Sequence, residues 1–446
     1  MAAFSLSAFG AAKVLWVDDS TNNPSGVESA PDGSLLVADK FNQRILRIQP
    51  TRPAGYSLLL SRFAEDPDSG HLLPDGTLLV ARTAAHRVER QTASGSVIWS
   101  YGSGSSTCAD GNLDLPSDLA LLANGNYLVV DQDHARLLEI TPTGSKAWQL
   151  GRSDCATGFG PDELAQPFHV DVEPNGRILV AEVGAHTVSE IVPGAGPTGA
   201  TVIWQFGERG VAGSDEAHLQ RPTSARRLPN GDVLIADSDN HRILQVRPTL
   251  PAGGTVVWSF GVTGVPGNDL THLYWPYDVS RSPQGSFFVA NLGSNQVLEV
   301  SPLRLALSGP GPVLLARRCL GPFRVQVEDV LGDETPPTDS PSPALTWQGS
   351  NPNLYTDDAC SDPLGSFTLT SASAGRDFYV WADSGDSARL VASAPGYLDG
   401  ELDLSFLVRR QFEVGPACSL VGGYEGGGWL ALLCLAAVQW RRRRSS

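Results

Sequence analysis

The chain has 446 residues, a length for two or three domains, and 41% of them are hydrophobic; with abundant glycine and proline this fits an all-β globular protein and excludes a disordered one. Basic residues number 32 and acidic ones 48, a net charge of −16. No nucleic-acid partner is expected, because phosphates call for the opposite field.

In chain order, residues 1–12 are apolar and end in small side chains but lack a basic start. They read as a disordered stretch or as the remnant of a secretory signal whose true start lies upstream. Residues 13–17, with Trp16, read as a strand. Then one phrase recurs six times, a proline followed nine positions later by a glycine: Pro24/Gly33, Pro67/Gly76, Pro116/Gly125, Pro167/Gly176, Pro222/Gly231 and Pro276/Gly285. Successive glycines lie 43 to 55 residues apart, a period that suits four-stranded propeller blades better than helical solenoids.

Each glycine closes a tight turn, as in Pro229, Asn230 and Gly231, whose residues tolerate the backbone angles a short hairpin needs. Continuously apolar runs follow, such as Val233, Leu234 and Ile235, as expected of strands covered on both faces. A third strand follows a polar turn, and a fourth carries Trp99, Trp148, Trp204 or Trp258. The sixth copy lacks its tryptophan strand. Trp16 stands eight residues before Pro24, as Leu59 stands before Pro67, so the first strand of the chain is expected to complete the last blade and close the ring.

The segment Asp237, Ser238, Asp239, Asn240, His241, Arg242, Ile243, and the leucines three residues before four of the prolines (Leu113, Leu164, Leu219, Leu273), resemble the NHL-repeat propellers over residues 13–302. The resemblance implies a six-bladed β-propeller. It leaves activity open, since this architecture hosts lyases, lactonases and binding platforms. The Pro-Asn-Gly turns paired with Val-Val-Trp strands are also similar, more weakly, to arylsulfotransferase propellers, which need a nucleophilic histidine ringed by cations; Arg226 alone is well placed for that.

From 303 to 415 the repeat is gone. A proline-rich stretch at 333–343 reads as a linker, and strand-like runs at 323–330, 344–347, 366–370, 378–381, 390–392 and 402–408 suffice for a small β-sandwich. This region resembles carboxypeptidase-regulatory or Ig-like stalk modules. Residues 416–446 hold Cys418, a glycine cluster, a short apolar stretch from 429 to 440 and four arginines at 441–444. That tail resembles the MYXO-CTERM sorting signals of myxobacterial surface proteins. It implies a sorting protease, a lipid anchor at Cys418, and an exported protein held at the cell surface or outer membrane. A plain C-terminal membrane anchor is the alternative, although about 20 apolar residues are needed for a comfortable span.

Cysteine usage agrees with export. Cys108 and Cys155 occupy corresponding loops of consecutive repeats, and Cys319 and Cys360 fall in the second domain; both pairs are expected as disulfides, and neither has zinc or redox spacing.

Candidate chemistry follows from register. Counting back seven residues from each turn glycine gives Gly26, Ser69, Asp118, His169, Ser224 and Asp278; counting back five gives Glu28, His71, Ala120, Asp171, Arg226 and Ser280. Glu28, His71, Asp118, His169, Asp171, Arg226 and Asp278 should therefore converge on the mouth of one channel. His71, His169, Asp118 and Asp278 could hold a calcium or zinc ion, with His169, Asp118 and Asp278 as catalytic candidates. His86, His186 and His241 recur at one register, which points to a packing role, and Asp39, Asp131 and Asp237 recur where a turn needs an acceptor. The leading expectation is an exported, surface-anchored binding module for a protein, small-molecule or glycan ligand, presented on the long connections at 103–115, 152–166, 208–221 and 262–275. The alternative is a metal-dependent lyase or lactonase working at the channel mouth.

Overall fold

The computed structural model describes residues 12–407, apart from 53, 331, 336, 338–340, 350, 351, 371, 384–386, 395 and 396. The expectations for the stretch before residue 12, for residues 408–415 and for the 416–446 tail with Cys418 lie outside the described residues. Among the described residues, no helix is long and apolar enough to cross a membrane.

The chain is all-β and forms eight four-stranded sheets among the described residues. Five follow the sequence as simple meanders. Blade 1 is Pro24–Ser29, Leu35–Asp39, Arg44–Pro50 and Tyr56–Phe63. Blade 2 is Pro67–Leu72, Leu78–Arg82, Arg87–Gln91 and Val97–Tyr101. Blade 3 is Pro116–Leu121, Tyr127–Asp131, Arg136–Ile140 and Lys146–Leu150. Blade 4 is Pro167–Val172, Ile178–Glu182, Thr187–Pro193 and Ala200–Phe206. Blade 5 is Pro222–Arg227, Val233–Asp237, Arg242–Pro248 and Gly254–Phe260. The remaining propeller sheet, blade 6, joins Pro276–Arg281, Phe287–Asn291 and Gln296–Pro302 to Ala12–Asp18. The inner strands neighbour one another around a ring, and the antiparallel pairing of Ala12–Asp18 with Gln296–Pro302 closes it.

The recurring phrase has a physical cause at each end. The residue before every inner-strand proline takes a positive φ: Asn23, Asp66, Leu115, Gln166, Arg221 and Trp275 lie between +46° and +57°. The chain thus reverses into the inner strand, and the proline's fixed φ starts it. A bulge follows in each inner strand, as between Pro167 and His169, and re-aims the next side chains toward the axis. At the other end Gly231 sits at φ +88° and gives its N–H to Leu228 O at 2.9 Å, a conformation open to glycine without strain. The second strands that follow are buried at every residue but Arg82, as in Val233–Asp237.

The outer-strand tryptophans act as clamps. The hairpins of blades 1, 4 and 5 overhang the preceding blade, and their glycine carbonyls accept indole N–H groups: Trp16 to Gly55 O at 2.6 Å, Trp148 to Gly199 O at 3.0 Å and Trp204 to Gly253 O at 2.8 Å. Blade 1 has no tryptophan, and register places Leu60, not Leu59, at the equivalent position. Leu60 pairs with Arg47 as Trp99 pairs with Arg90 and Trp204 with Glu190. The connection into blade 2 is one residue shorter than the spacing of Trp16 implied.

Residues 304–407 form a two-sheet sandwich. One sheet runs Arg304–Ser308, Cys319–Glu328, Gly375–Trp381, Asn353–Tyr355, and the other Val313–Leu315, Gly400–Leu407, Ser387–Ser393, Ala344–Gly349. Phe323, Phe378, Leu390 and Phe406 lie in its core. The expected strand at 366–370 is absent: Leu369 is buried, but its N–H goes to Pro341 O, so the segment plugs the core as coil. The sandwich meets the propeller through Lys13 Nζ to Asp329 Oδ2 at 2.8 Å and Val330 N–H to Ser301 Oγ at 3.0 Å. Disulfides join Cys108 to Cys155 and Cys319 to Cys360. The first ties the loops that lead into blades 3 and 4.

Candidate functional site

The bulged inner strands bring the seven register-selected residues onto one axis. His71 lies between two carboxylates, with Nδ1 3.3 Å from Glu28 Oε1 and Nε2 2.7 Å from Asp118 Oδ1. Burial pulls its pKa down, but Glu28 and Asp118 outweigh burial and lift it to about 10, so the ring is an imidazolium. Burial works against the ionised form of Asp118, yet the His71 cation and the Val170 N–H at 3.1 Å hold its carboxyl well below the usual range. On the far side Arg226 sends Nη2 to Asp278 Oδ2 at 3.1 Å and Nε to Val279 O at 2.8 Å, while Ser224 Oγ donates to Asp278 Oδ1 at 2.6 Å. Asp171 accepts Arg227 N–H at 2.7 Å.

This arrangement revises the metal expectation for His71, His169, Asp118 and Asp278. His71 is already bonded to Glu28 and Asp118, and a guanidinium covers Asp278. Among the described residues, no group of three or more His, Cys, Asp or Glu side chains is placed to hold a metal ion. His169 stands apart. It is buried, its Nε2 is 3.9 Å from Asp118 Oδ2, and neither ring nitrogen has a hydrogen-bond partner among the described residues. Burial, then the nearby Arg226 charge, push its pKa down, which leaves it neutral.

The channel is closed on the face where the long connections emerge. Phe168 and Tyr277, one residue before the axial layer in blades 4 and 6, meet edge to face with centroids 5.0 Å apart. Burial, and then the Asp68 carboxylate, raise the Tyr277 phenol. Lys40 and Asp68 pair beside them at 2.5 Å. Five of the six axial residues counted back five positions are half-buried, Ser280 alone being buried, whereas all six counted back seven are buried, so the channel opens toward the proline-glycine turns instead.

The recurring histidines serve the turns. His86, His186 and His241 sit at positive φ, and each Nδ1 accepts the main-chain N–H of a residue preceding the next proline: Leu115 at 3.2 Å, Arg221 at 3.1 Å and Trp275 at 3.3 Å. Asn295 does the same for Asn23 at 2.8 Å. Asp39, Asp131 and Asp237 accept the N–H groups of Asn22, Asp114 and Gln220 at 2.7, 2.6 and 2.7 Å. These bonds hold four of the pre-proline residues, and the residues before three of them, on the loop face.

Between blades 5 and 6 this face holds a cavity of about 400 Å³ lined by Arg221, Ser238, Asp239, Trp275 and Tyr277, among others. Trp275 is 41% exposed. The Arg221 guanidinium is half exposed, with Nε 3.5 Å from Asp239 Oδ2. Counting from glycines did not select these residues. Their signal is that the position before each invariant proline holds Asn, Asp, Leu, Gln, Arg and Trp in turn, a variable site within a fixed frame.

Residues 219–246, most of blade 5, match the NHL repeat family. Over 88 residues the chain is 32% identical to the protein named Probable peptidyl-alpha-hydroxyglycine alpha-amidating lyase pgal-1 of Caenorhabditis elegans; the match covers 20% of this chain and 24% of that relative, about a quarter of its length. Among solved structures, the chain is similar to a virginiamycin B lyase from Staphylococcus aureus, at 12% identity, with 65% of this chain and 97% of that chain covered and a TM-score of 0.40. It is also similar to a gluconolactonase from Xanthomonas campestris, at 12% identity, with 66% and 96% covered and a TM-score of 0.44. The chain is an all-β propeller that carries an NHL repeat.

Proposed function

We propose that this protein is an exported, surface-anchored binding module whose ligand seats on the loop face, in the cavity between blades 5 and 6. The observation that carries this reading is the exposed Trp275 in one cavity with the half-exposed guanidinium of Arg221, whose side-chain ion pair to Asp239 is long, at 3.5 Å. An aromatic plate with an adjacent charge is a common hot-spot chemistry for proteins and glycans alike. The two disulfides support an oxidising compartment, and the MYXO-CTERM-like tail supports anchoring. Trp275→Ala should weaken a ligand found by glycan or peptide array by roughly 30-fold, as loss of a hot spot of about 2 kcal/mol requires, with melting temperature unchanged. Titration calorimetry checks this, and equal affinity in both forms sinks the reading.

A second reading, a metal-dependent lyase or hydrolase, is favoured by the local likeness to the nematode lyase and by neutral His169 with both nitrogens free of partners. Elemental analysis of the purified protein separates the two. A stoichiometric metal that is lost in His169→Ala supports the enzyme; its absence leaves the binding module.

A further inference from the structure

The outer strands of the propeller are not all covered alike. In blades 1, 4 and 5 the third strand has seven residues, and the overhanging hairpin that accepts the tryptophan N–H also adds a parallel bridge to the edge of the preceding blade. The bridged pairs are Val17 with Ala54, Gln149 with Thr198 and Gln205 with Ala252. Main-chain bonds complete them, Gln149 N–H to Pro197 O at 3.0 Å and Gly253 N–H to Gln205 O at 2.8 Å.

In blade 3 the third strand has five residues, and its turn closes early, Gly144 N–H to Thr141 O at 2.9 Å. The outer strand of blade 2, Val97–Tyr101, therefore keeps an open edge among the described residues. Trp99 stacks on Tyr127 with centroids 3.7 Å apart, and its Nε1 is buried without an acceptor. Ser100 stands where Gln149 and Gln205 stand, next to its tryptophan, and has no such bridge. Val97 and Ile98 are 51% and 54% exposed. Blade 1, whose cover is short for the same reason, is closed differently, since the Arg62 guanidinium bonds Ser61 O and reaches Ala93 O.

We propose that the outer edge of blade 2 docks an extended segment of a partner protein, which does from outside what the overhanging hairpins do within the chain. It pairs its main chain with Ser100 and covers Val97 and Ile98 beside Trp99, a form of strand addition. The occupant's chemistry is read from the chain's own hairpins: a turn with glycine, and small uncharged residues, Ala54, Thr198 and Ala252, at the bridge. A second copy is a poor occupant, because each chain carries a charge of −16 and like charges repel.

The test uses the full chain with nitrogen-labelled tryptophans and, as probe, a synthetic peptide with the sequence of residues 190–203. The Trp99 indole signal, assigned with Trp99→Phe, should shift saturably with peptide. Ile98→Asp, at an exposed position, should weaken that response at least tenfold while the remaining indole signals stay in place. The proposal is overturned by a Trp99 signal that does not move at millimolar peptide, or by a dimer in sedimentation that Ile98→Asp dissociates, which would make a second copy the occupant. A photo-crosslink from position 98 to residues 1–11 or 408–446 of the same molecule would also overturn it.

Discussion

His71 holds a proton between Glu28 and Asp118, and that proton ties stability to pH. Its pKa rises from about 6.5 in an unfolded chain to about 10 in the fold. The stabilisation is thus complete below pH 6.5 and is lost as pH rises through about 10. Thermal melts should show the wild-type melting temperature falling across that window, with a flatter dependence in His71→Gln; parallel curves would refute the assignment. The axial residues were legible because one strand register, counted from the turn glycines, predicts where each side chain points. Their partners were not, because a count along a strand says nothing about which charge from another blade arrives first. Arg226 reaches Asp278 from the neighbouring blade, and Arg221 and Trp275 escaped notice because residues that differ from blade to blade look like noise in a repeat.

At the scale of elements, the tryptophan strands separate two effects that composition cannot. Trp204→Phe removes both buried volume and the bond to Gly253 O; it should cost about 1 kcal/mol more in urea unfolding than Trp99→Phe, whose indole N–H has no acceptor to lose. Equal costs would mean that the overhanging hairpins add nothing through that bond. The blades themselves could be read from sequence, since proline, turn and apolar run fall at fixed offsets. The sandwich was read less well. Val313–Leu315 and Asn353–Tyr355 have three residues each, too short to show alternation, and exist because a neighbouring strand pairs with them. The run at 366–370 has the composition of a strand but bonds its backbone to a loop.

At the scale of the molecule, the pairing of Ala12–Asp18 with Gln296–Pro302 closes the ring of blades. Removing residues 12–18 should expose Phe288 and Val297, which pack around Trp16, and abolish a single cooperative transition; retention of the wild-type urea midpoint would show that closure is dispensable. The same pairing sets a clock on biogenesis. At about 5–20 residues per second, the ribosome needs roughly 15–60 s after making the first strand to make its partner. Throughout that interval Val14, Leu15, Trp16 and Val17 form an apolar segment with nothing to pair with. Lys13 and Asp18, one charge at each end of the run, act as gatekeepers against self-association while the chain waits.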